Sequence, residues 1–402
     1  MEIISRPYYI DKIEHWFSRN LIIILTGQRR VGKSYLLRLL KGRYEHIPNW
    51  NVIFIDKEKK EYDEIRKYED LNLYIESKRI LGKRNLILID EVQDIEGFEK
   101  SLRSWYENED VEIIVTGSNS KILSSELSTI IGGRYKEIYI QSLNYNEFLI
   151  FHDLEDSDES LKKFMRYGGL PGLKKIGFDD NDVIEYQNDV LNSVLLKDVI
   201  LRNDIRNVNF LQNLISFLAD NTGKLISASN IAKYMKSNSN PVSVGVILNY
   251  IRFLCESYII RKVERYDIHG KRLFENNEKY YFQDIGIRNS VLQNKRAFDI
   301  EKQIENMVYN ELVFQGYNVT VGQLSGKEID FIAQKSGSEP HYVQITYLLA
   351  SEETKERELG NLKLIQNNYP KYVISLDPFN DISDYDGIKH LSLRHFLKYG
   401  LK

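Results

Sequence analysis

Short apolar runs rich in β-branched residues alternate with helical patterns in the first third of the chain. The runs that we expect to form strands occupy residues 21–26, 52–55, 86–89, 111–115 and 137–140. Near-continuous apolar strands that alternate with helices are typical of a parallel sheet covered on both faces, so this segment is predicted to be α/β. One run lies between the first and the third along the chain, and we do not expect those two to be neighbours in the sheet.

The remaining pattern divides into three parts. Residues 145–220 are mostly helical and are broken by a glycine- and proline-rich turn at 168–172, where proline stops a helix and glycines permit positive φ. Residues 226–256 form a helix, a break and a second helix, and a predicted hairpin follows, which is the pattern of a winged helix. From about residue 299 the chain runs helix, three strands, helix, strand.

These patterns predict four domains. They are an α/β core, a helical lid, a winged helix and a C-terminal α/β domain, with boundaries at 1–150, 151–220, 221–285 and 286–402. A chain of 402 residues has room for two to four domains.

Composition and charge exclude several classes of protein. The longest apolar runs are far shorter than the roughly 20 residues of a membrane-spanning helix, and the first residues lack the apolar segment of a signal peptide, so we expect a cytoplasmic protein with no membrane partner. The single cysteine, Cys255, excludes an intrachain disulfide framework and a thiolate metal site. A net charge of -3 gives no overall basic field, so nucleic-acid binding would need a local basic patch.

The strongest chemical signal follows the first apolar run. Gly27-Gln28-Arg29-Arg30-Val31-Gly32-Lys33-Ser34 matches the phosphate-loop pattern G-x-x-x-x-G-K-[ST], with a strand before it and a helix after it. In this pattern the backbone N–H groups cradle phosphates, Lys33 reaches the β- and γ-phosphates, and the Ser34 hydroxyl ligates Mg²⁺. The sequence therefore predicts binding of ATP or GTP.

Two carboxylates follow the third run. Asp90 and Glu91 stand at the carboxyl end of a buried strand, where open α/β sheets bind their ligands. We expect Asp90 to hold magnesium through water and Glu91 to orient and deprotonate the attacking water.

Two further positions are candidates for catalysis. The fourth run ends in Thr116-Gly117-Ser118-Asn119, where Ser118 or Asn119 could contact the γ-phosphate or the lytic water, although a plain polar turn is equally compatible. Arg134 precedes the fifth strand. It could complete a γ-phosphate site within the subunit or in a neighbouring subunit, or it could be a surface arginine that pairs with a glutamate.

These motifs, together with Arg6-Pro7, Ile89-Asp90-Glu91-Val92-Gln93 and Tyr167-Gly168-Gly169-Leu170-Pro171-Gly172, resemble a prokaryotic AAA+ family of P-loop ATP-binding proteins. The resemblance covers nearly the whole chain. It implies an ATPase with ATP and Mg²⁺ as cofactors, a catalytic glutamate on an additional-strand sheet, and a sensor residue at Ser118 or Asn119. It also implies that a helical lid, a winged helix and a domain similar to restriction-type nucleases follow the ATPase core. We expect a homo-oligomer.

The predicted wing carries a local basic tip. Arg265, Lys271 and Arg272 lie between its two strands and could contact nucleic-acid phosphates. The second helix has Arg252 as its only basic residue, which makes base readout in a major groove poor. We favour nonspecific DNA backbone binding, and a winged helix that docks a protein is the alternative.

The C-terminal pattern resembles a nuclease whose chemistry is degenerate. Glu305, Asp330, Gln344 and Thr346 occupy places like those of the acidic helix residue and the D…[E/Q]-x-K triad. A glutamine replaces a carboxylate that would hold metal, and a threonine replaces the lysine that would activate water. Unless Lys355 or another helix residue migrates into the site, we expect a retained binding or oligomerisation module.

The sequence therefore favours a magnesium-dependent ATPase that couples nucleotide binding and hydrolysis to binding or remodelling of DNA. The alternative is a nucleotide-controlled signalling switch that recruits a protein, and the second alternative is an ATP-dependent nuclease.

Overall fold

A computed structural model describes residues 4–117, 131–237, 242–292, 299–349, 352–377 and 381–401. Within these ranges the chain forms two compact units. The first comprises residues 1–142 with 256–258, and the second comprises residues 143–255 with 259–402.

The first unit alternates strands and helices. Its helices are α1 (Pro7–Glu14), α2 (Lys33–Tyr44), α3 (Tyr68–Lys78) and α4 (Phe98–Tyr106), and 3₁₀ turns span Lys60–Tyr62 and Val92–Asp94. Its strands are β1 (Ile22–Thr26), β2 (Trp50–Asp56), β3 (Arg84–Asp90), β4 (Val111–Thr116) and β5 (Tyr135–Tyr139). All five predicted runs are strands.

These five strands form one parallel sheet in the order β2-β3-β4-β1-β5. The α/β prediction is confirmed. The phosphate-loop strand β1 and the acidic strand β3 are not neighbours, as expected, and the strand that separates them in space is β4. Residues of β1, β3 and β4 are almost wholly buried, which is why these strands read as continuous apolar runs rather than as alternating patterns.

The second unit begins with helices, as predicted for the lid. They are α5 (Tyr145–His152), α6 (Asp158–Tyr167), α7 (Leu173–Ile176), α8 (Asp180–Val194), α9 (Leu201–Asn203) and α10 (Val208–Asp220), with a π-helical turn at Leu195–Ile200 between α8 and α9. The helix pair of the predicted winged helix is α11 (Ala228–Ser237) and α12 (Val244–Glu256).

A hairpin and the C-terminal elements follow. The hairpin strands are β6 (Ile260–Asp267) and β7 (Arg272–Phe282), and the later strands are β8 (Asn318–Leu324), β9 (Lys327–Gln334), β10 (His341–Ile345), β11 (Lys371–Ser375), β12 (Ile382–Tyr385) and β13 (Ile388–Ser392). The remaining helices are α13 (Ile285–Leu292), α14 (Ile300–Phe314), α15 (Glu352–Lys363) and α16 (Leu393–Tyr399).

The hairpin does not form a sheet of its own. All eight strands β6–β13 belong to one sheet, in the order β12-β13-β11-β10-β9-β8-β6-β7, and β6 pairs with β8 in parallel at Arg265↔Val321. The predicted boundary at 285/286 therefore lies at the start of α13, between strands of one sheet. The predicted boundary at 150/151 lies within α5, a helix of the second unit.

Candidate functional site

The phosphate loop, residues 27–34, joins the carboxyl end of β1 to the start of α2. Its backbone has positive φ at Gly27 (137°), Arg30 (68°) and Gly32 (102°). A Cβ atom on Gly27 would lie 2.2 Å from the carbonyl oxygen of Ile140, so a larger residue cannot take this position without a backbone shift. Gly32 is the N-cap of α2, and the positive end of the helix dipole therefore adjoins the loop.

The Lys33 side chain is buried and turns back over the loop. Its Nζ donates hydrogen bonds to the carbonyl oxygens of Gly27 at 2.7 Å and Gln28 at 2.9 Å. An ammonium group has donors only, so it pairs with oxygen acceptors such as these two carbonyls. The contact of Lys33 with phosphate stays a prediction.

Arg6 holds the loop from the other side. Its guanidinium is fully buried, donates from Nη1 to the carbonyl oxygen of Val31 at 2.8 Å and from Nη2 to that of Gln141 at 3.1 Å, and lies 4.5 Å from the ring centre of Tyr9. The hydroxyl of Tyr9 also accepts the backbone N–H of Gln141 at 3.0 Å. Sequence reasoning used Arg6 only as part of a resemblance, and its role as a clamp on the loop required the structure.

The carboxyl ends of β3 and β4 bring Asp90 and Thr116 together. Thr116 Oγ1 donates to Asp90 Oδ1 at 2.5 Å, while Asp90 Oδ2 is buried without a hydrogen-bond partner among the described residues. Burial raises the pKa of the Asp90 carboxyl, and hydrogen bonds from the hydroxyls of Thr116 and Ser34 act in the opposite direction. A buried oxygen without a partner is unfavourable unless a ligand completes it.

Glu91 lies next to Asp90 in a left-handed backbone conformation, with φ of 53°. Its backbone N–H donates to Thr116 Oγ1 at 2.9 Å, so one hydroxyl orients both acidic residues. Its carboxylate accepts a hydrogen bond from the Nε2 atom of Gln93. The sequence analysis assigned no role to Thr116 or Gln93, although Thr116 directly follows the predicted strand 111–115 and Gln93 lies in the turn that follows the acidic pair.

Asp56 adds a third carboxylate at the same edge of the sheet. It ends β2, is in register with Asp90 across the β2–β3 ladder, and is almost fully buried. Arg38 of α2 pairs with it at 3.2 Å. The Asp56 charge is one of the smaller influences that raise the pKa of Asp90. The sequence analysis missed Asp56, although an acidic residue at the end of an apolar run was the available signal.

The residues present fit a Mg²⁺–nucleotide complex. Ser34 and Asp90 supply oxygen donors of the kind that Mg²⁺ prefers, and the unpartnered Oδ2 of Asp90 is available for such a contact through water. The side-chain amide of Gln28 is 1% exposed, and neither its nitrogen nor its oxygen has a hydrogen-bond partner in the described structure. In the described structure, the side-chain amide of Gln28 is therefore a buried polar group of the loop that no other side chain or backbone atom satisfies.

The remaining catalytic candidates are Ser118, Asn119 and Arg134. Ser118 and Asn119 lie outside the described residues. Arg134 is exposed and precedes β5, and its carbonyl oxygen accepts the N–H of Ile22 at the amino end of β1. The phosphate loop follows the opposite end of β1, roughly 16 Å away at about 3.3 Å per strand residue. The Arg134 guanidinium lies 5.6 Å from the ring centre of Tyr106.

In the second unit, the nuclease-like residues are only partly brought together. Glu305 of α14 and Asp330 of β9 both approach the side chain of Lys279, and Gln344 Oε1 accepts the backbone N–H of Asp330 at 3.4 Å. Thr346 is buried just beyond the end of β10, where its N–H donates to a carbonyl of β11. The lysine among the acidic residues is thus Lys279 of β7, which sequence reasoning missed, and Lys355 lies instead over the Tyr385 ring at 6.0 Å.

The predicted DNA-binding residues do not form a single patch. Arg265 is half-buried and hydrogen-bonds to Gln323 of β8, within the sheet rather than at the tip of the hairpin. Lys271 and Arg272 are exposed at the hairpin turn, and the Arg272 side chain lies 4.0 Å from the carboxylate of Asp267. The basic tip therefore consists of Lys271 and Arg272 with an acidic neighbour.

Sequence comparison finds two families along the chain. Residues 19–149 match an AAA domain, and residues 158–297 match a domain of unknown function, DUF8612. An uncharacterized protein of Haemophilus influenzae is 32% identical over 394 residues, which is 96% of this chain and 96% of that protein. Uncharacterized protein MJ1544 of Methanocaldococcus jannaschii is 28% identical over 378 residues, which is 89% of this chain and 82% of that protein.

Comparison with solved structures finds remote similarity. AMPPCP-bound DnaA from Aquifex aeolicus is 15% identical with a TM-score of 0.32, covering 63% of this chain and 90% of that chain. The Aeropyrum pernix ORC1 protein in complex with DNA is 11% identical with a TM-score of 0.31, covering 72% and 92%. TM-scores this low carry no functional argument. Among the described residues, no helix is both long and apolar enough to cross a bilayer.

Proposed function

The chain belongs to the same protein family as its Haemophilus influenzae relative, and we propose that it is a magnesium-dependent ATPase that couples nucleotide binding and hydrolysis to binding or remodelling of DNA. The observation that carries the ATPase proposal is the Thr116 hydroxyl, which joins Asp90 Oδ1 to the backbone of Glu91 beside the phosphate loop. The AAA domain match at 19–149 supports the same conclusion.

Each residue of the site has a distinct part in this proposal. Lys33 leaves its two loop carbonyls for the β- and γ-phosphate oxygens, and the backbone N–H groups of the loop complete the phosphate cradle. Ser34 and Asp90 would hold Mg²⁺, and the bound ion would supply positive charge beside the phosphates. Glu91 accepts a proton from the attacking water, and Gln93 keeps its carboxylate oriented.

Arg134 acts in a neighbouring subunit in this proposal. Its position at the amino edge of the sheet argues against a role at the phosphates of its own chain, since roughly 16 Å of strand separates it from the loop. An exposed arginine at an edge could reach the γ-phosphate held by another copy, where such residues stabilise transition-state charge. The proposal therefore includes a homo-oligomer, with Ser118 or Asn119 as the sensor residue.

DNA is the proposed partner because the hairpin tip exposes Lys271 and Arg272. Phosphate contacts of this kind give sequence-independent affinity that falls with salt. A second candidate is a nucleotide-controlled switch that recruits a protein. It is favoured by α12, which exposes the apolar side chains of Val244, Val246 and Leu248 at 39%, 38% and 52% and carries Arg252 as its single basic residue.

The test is ATP turnover by the purified full chain without DNA and with duplex, single-stranded or branched DNA in turn. Stimulation by any DNA form supports the DNA-coupled ATPase. ATP turnover that no DNA form changes favours the protein-recruiting switch. Absence of ATP binding and turnover in a folded preparation would contradict the ATPase proposal. Metal-dependent cleavage of DNA by the same preparation would instead support the third function, an ATP-dependent nuclease.

A further inference from the structure

The buried ammonium group of Lys279 lies among three carboxylates in the second unit. The lysine belongs to β7, and its side chain is 2% exposed. Its Nζ lies 2.8 Å from Glu305 Oε1, 2.7 Å from Glu328 Oε1 and 3.8 Å from Asp330 Oδ1. One cation thus meets acidic residues from α14 and β9, the two elements that carry the acidic positions of the nuclease-like pattern.

Two further donors of the same chain reach this cluster. The Tyr281 hydroxyl donates to Glu305 Oε1 at 2.6 Å, and the backbone N–H of Ile345 donates to Asp330 Oδ2 at 2.8 Å. The second oxygen of Glu305 faces Gly223, where a Cβ atom would lie only 2.5 Å away. Glu305 is thus enclosed between a glycine on one side and two donors of β7 on the other.

The charge state of Lys279 follows from this environment. Burial by itself would lower the pKa of the ammonium group, but the carboxylates of Glu305, Asp330 and Glu328 raise it above the ordinary value for lysine. A buried charge is strongly unfavourable unless it is paired and hydrogen-bonded, and here the pairing is multiple. Lys279 is therefore a permanent cation at the centre of the cluster.

We propose that Lys279 is the resident cation of this centre and takes the place that a divalent metal ion would hold in a working nuclease of this layout. Lysine offers three donors and no acceptor, and three carboxylates are arranged around it. The centre is closed to metal by a positive charge that the chain supplies itself.

A catalytic role for Lys279 is the competing interpretation, because Thr346 stands where the nuclease pattern has its lysine. A lysine that activates water or stabilises a phosphorane must face the substrate next to a metal. Lys279 is instead buried, and the carboxylates that would bind the metal are already paired with it. The arrangement favours a lysine that offsets part of the negative charge of the three carboxylates and fastens β7 to α14 and β9. The inference is independent of the ATPase proposal.

The first experiment replaces Lys279 by methionine, which keeps most of the aliphatic stem and removes the charge. Mn²⁺ is titrated into the full chain without nucleotide, and free Mn²⁺ is measured by electron paramagnetic resonance. We expect Lys279→Met to gain one Mn²⁺ site per chain relative to wild type and to lose it again in Lys279→Met/Asp330→Asn. Lys279→Arg, the matched control, keeps the charge and should gain no site.

Two results would overturn the proposal. One is a wild-type Mn²⁺ site that Asp330→Asn removes, because the metal position would then be open with Lys279 in place. The other is a Lys279→Met variant that is folded by circular dichroism yet gains no site.

A second experiment uses wild type alone, in case Lys279→Met does not fold. Fe²⁺ with ascorbate and peroxide cleaves a polypeptide near a bound metal ion, and the fragments are mapped by mass spectrometry. We expect no cleavage near Glu305 or Asp330. Cleavage at either segment would show a bound metal and refute a resident lysine cation.

Discussion

The hydroxyl of Thr116 donates a hydrogen bond to Oδ1 of Asp90 at 2.5 Å, and the Thr116 hydroxyl oxygen accepts the backbone N–H of Glu91 at 2.9 Å. A single side chain on β4 thus fixes two acidic residues at the carboxyl end of β3. In the proposed ATPase, the residue that holds magnesium and the residue that activates water depend on the same hydrogen-bonding group.

Replacing Thr116 by valine removes this group while keeping the shape of the side chain. Hydrogen bonds to charged groups contribute about 1.5–3 kcal/mol, so we expect ATP turnover to fall about 10- to 100-fold with a much smaller change in ATP affinity. Thr116→Ser keeps the hydroxyl and should retain most of the turnover. Steady-state kinetics together with nucleotide-binding titrations check this, and equal activity of the valine and serine variants would contradict it.

Variants of the phosphate loop and of the acidic pair should affect ATP binding and ATP hydrolysis differently. Because Lys33 contacts phosphate, Lys33→Ala should weaken ATP binding, whereas Glu91→Gln should keep binding and stop hydrolysis. The measurement is ATP affinity by fluorescence titration beside single-turnover hydrolysis. Normal hydrolysis by Glu91→Gln would rule out the role assigned to this carboxylate.

Subunit mixing tests Arg134. If it acts on a neighbouring subunit, Arg134→Ala and Glu91→Gln subunits should each be inactive alone and should regain part of the activity when they are mixed, because some interfaces then combine an intact Arg134 with an intact Glu91. Mixed oligomers are verified by native mass spectrometry. If verified mixtures show no rescue, Arg134 has a structural role, such as its contact with Tyr106.

The hairpin tip should contribute to DNA affinity without sequence preference. Lys271→Ala/Arg272→Ala should lower affinity similarly for all sequences and reduce the salt dependence by up to about two counterions, because phosphate contacts are lost. Lys60→Ala/Lys162→Ala, which removes two other exposed lysines, is the matched control for net charge. Fluorescence anisotropy at several salt concentrations measures both. Equal behaviour of the two double variants would place DNA contact elsewhere or favour a protein partner.

Glu311 of α14 should make stability depend on pH. Burial raises the pKa of its carboxyl from 4.5 to about 8, whereas hydrogen bonds with Gln315 and Asn144 act in the opposite direction. The folded state then binds the proton more tightly than the unfolded state, so stability is lost as pH rises from about 4.5 to about 8.

Glu311→Gln should remove this dependence. We expect it to be more stable than wild type at pH 9, by at most about 5 kcal/mol, and similar to wild type at pH 4. Urea unfolding at both pH values measures the difference, with exposed Glu301→Gln of the same helix as the control. An unchanged difference across this range would show that Glu311 does not titrate as described.

The sequence by itself determined the features that depend on neighbouring residues. The phosphate loop is one continuous motif. The five apolar runs predict five strands, because a parallel strand that is buried on both faces tolerates few polar residues. The acidic pair could be found for the same reason, since Asp90 and Glu91 directly follow such a run.

Only the tertiary structure decided which distant residues meet. Thr116 and Asp90 are 26 positions apart, and Arg6 reaches Gln141 across 135 positions. Lys279 could not be assigned from its sequence, because its environment is created by α14 and β9, which pack around the end of β7. The pairing of strands and the packing of helices on a sheet are set by the free energy of the whole fold. Local sequence patterns therefore do not predict which distant residues come into contact.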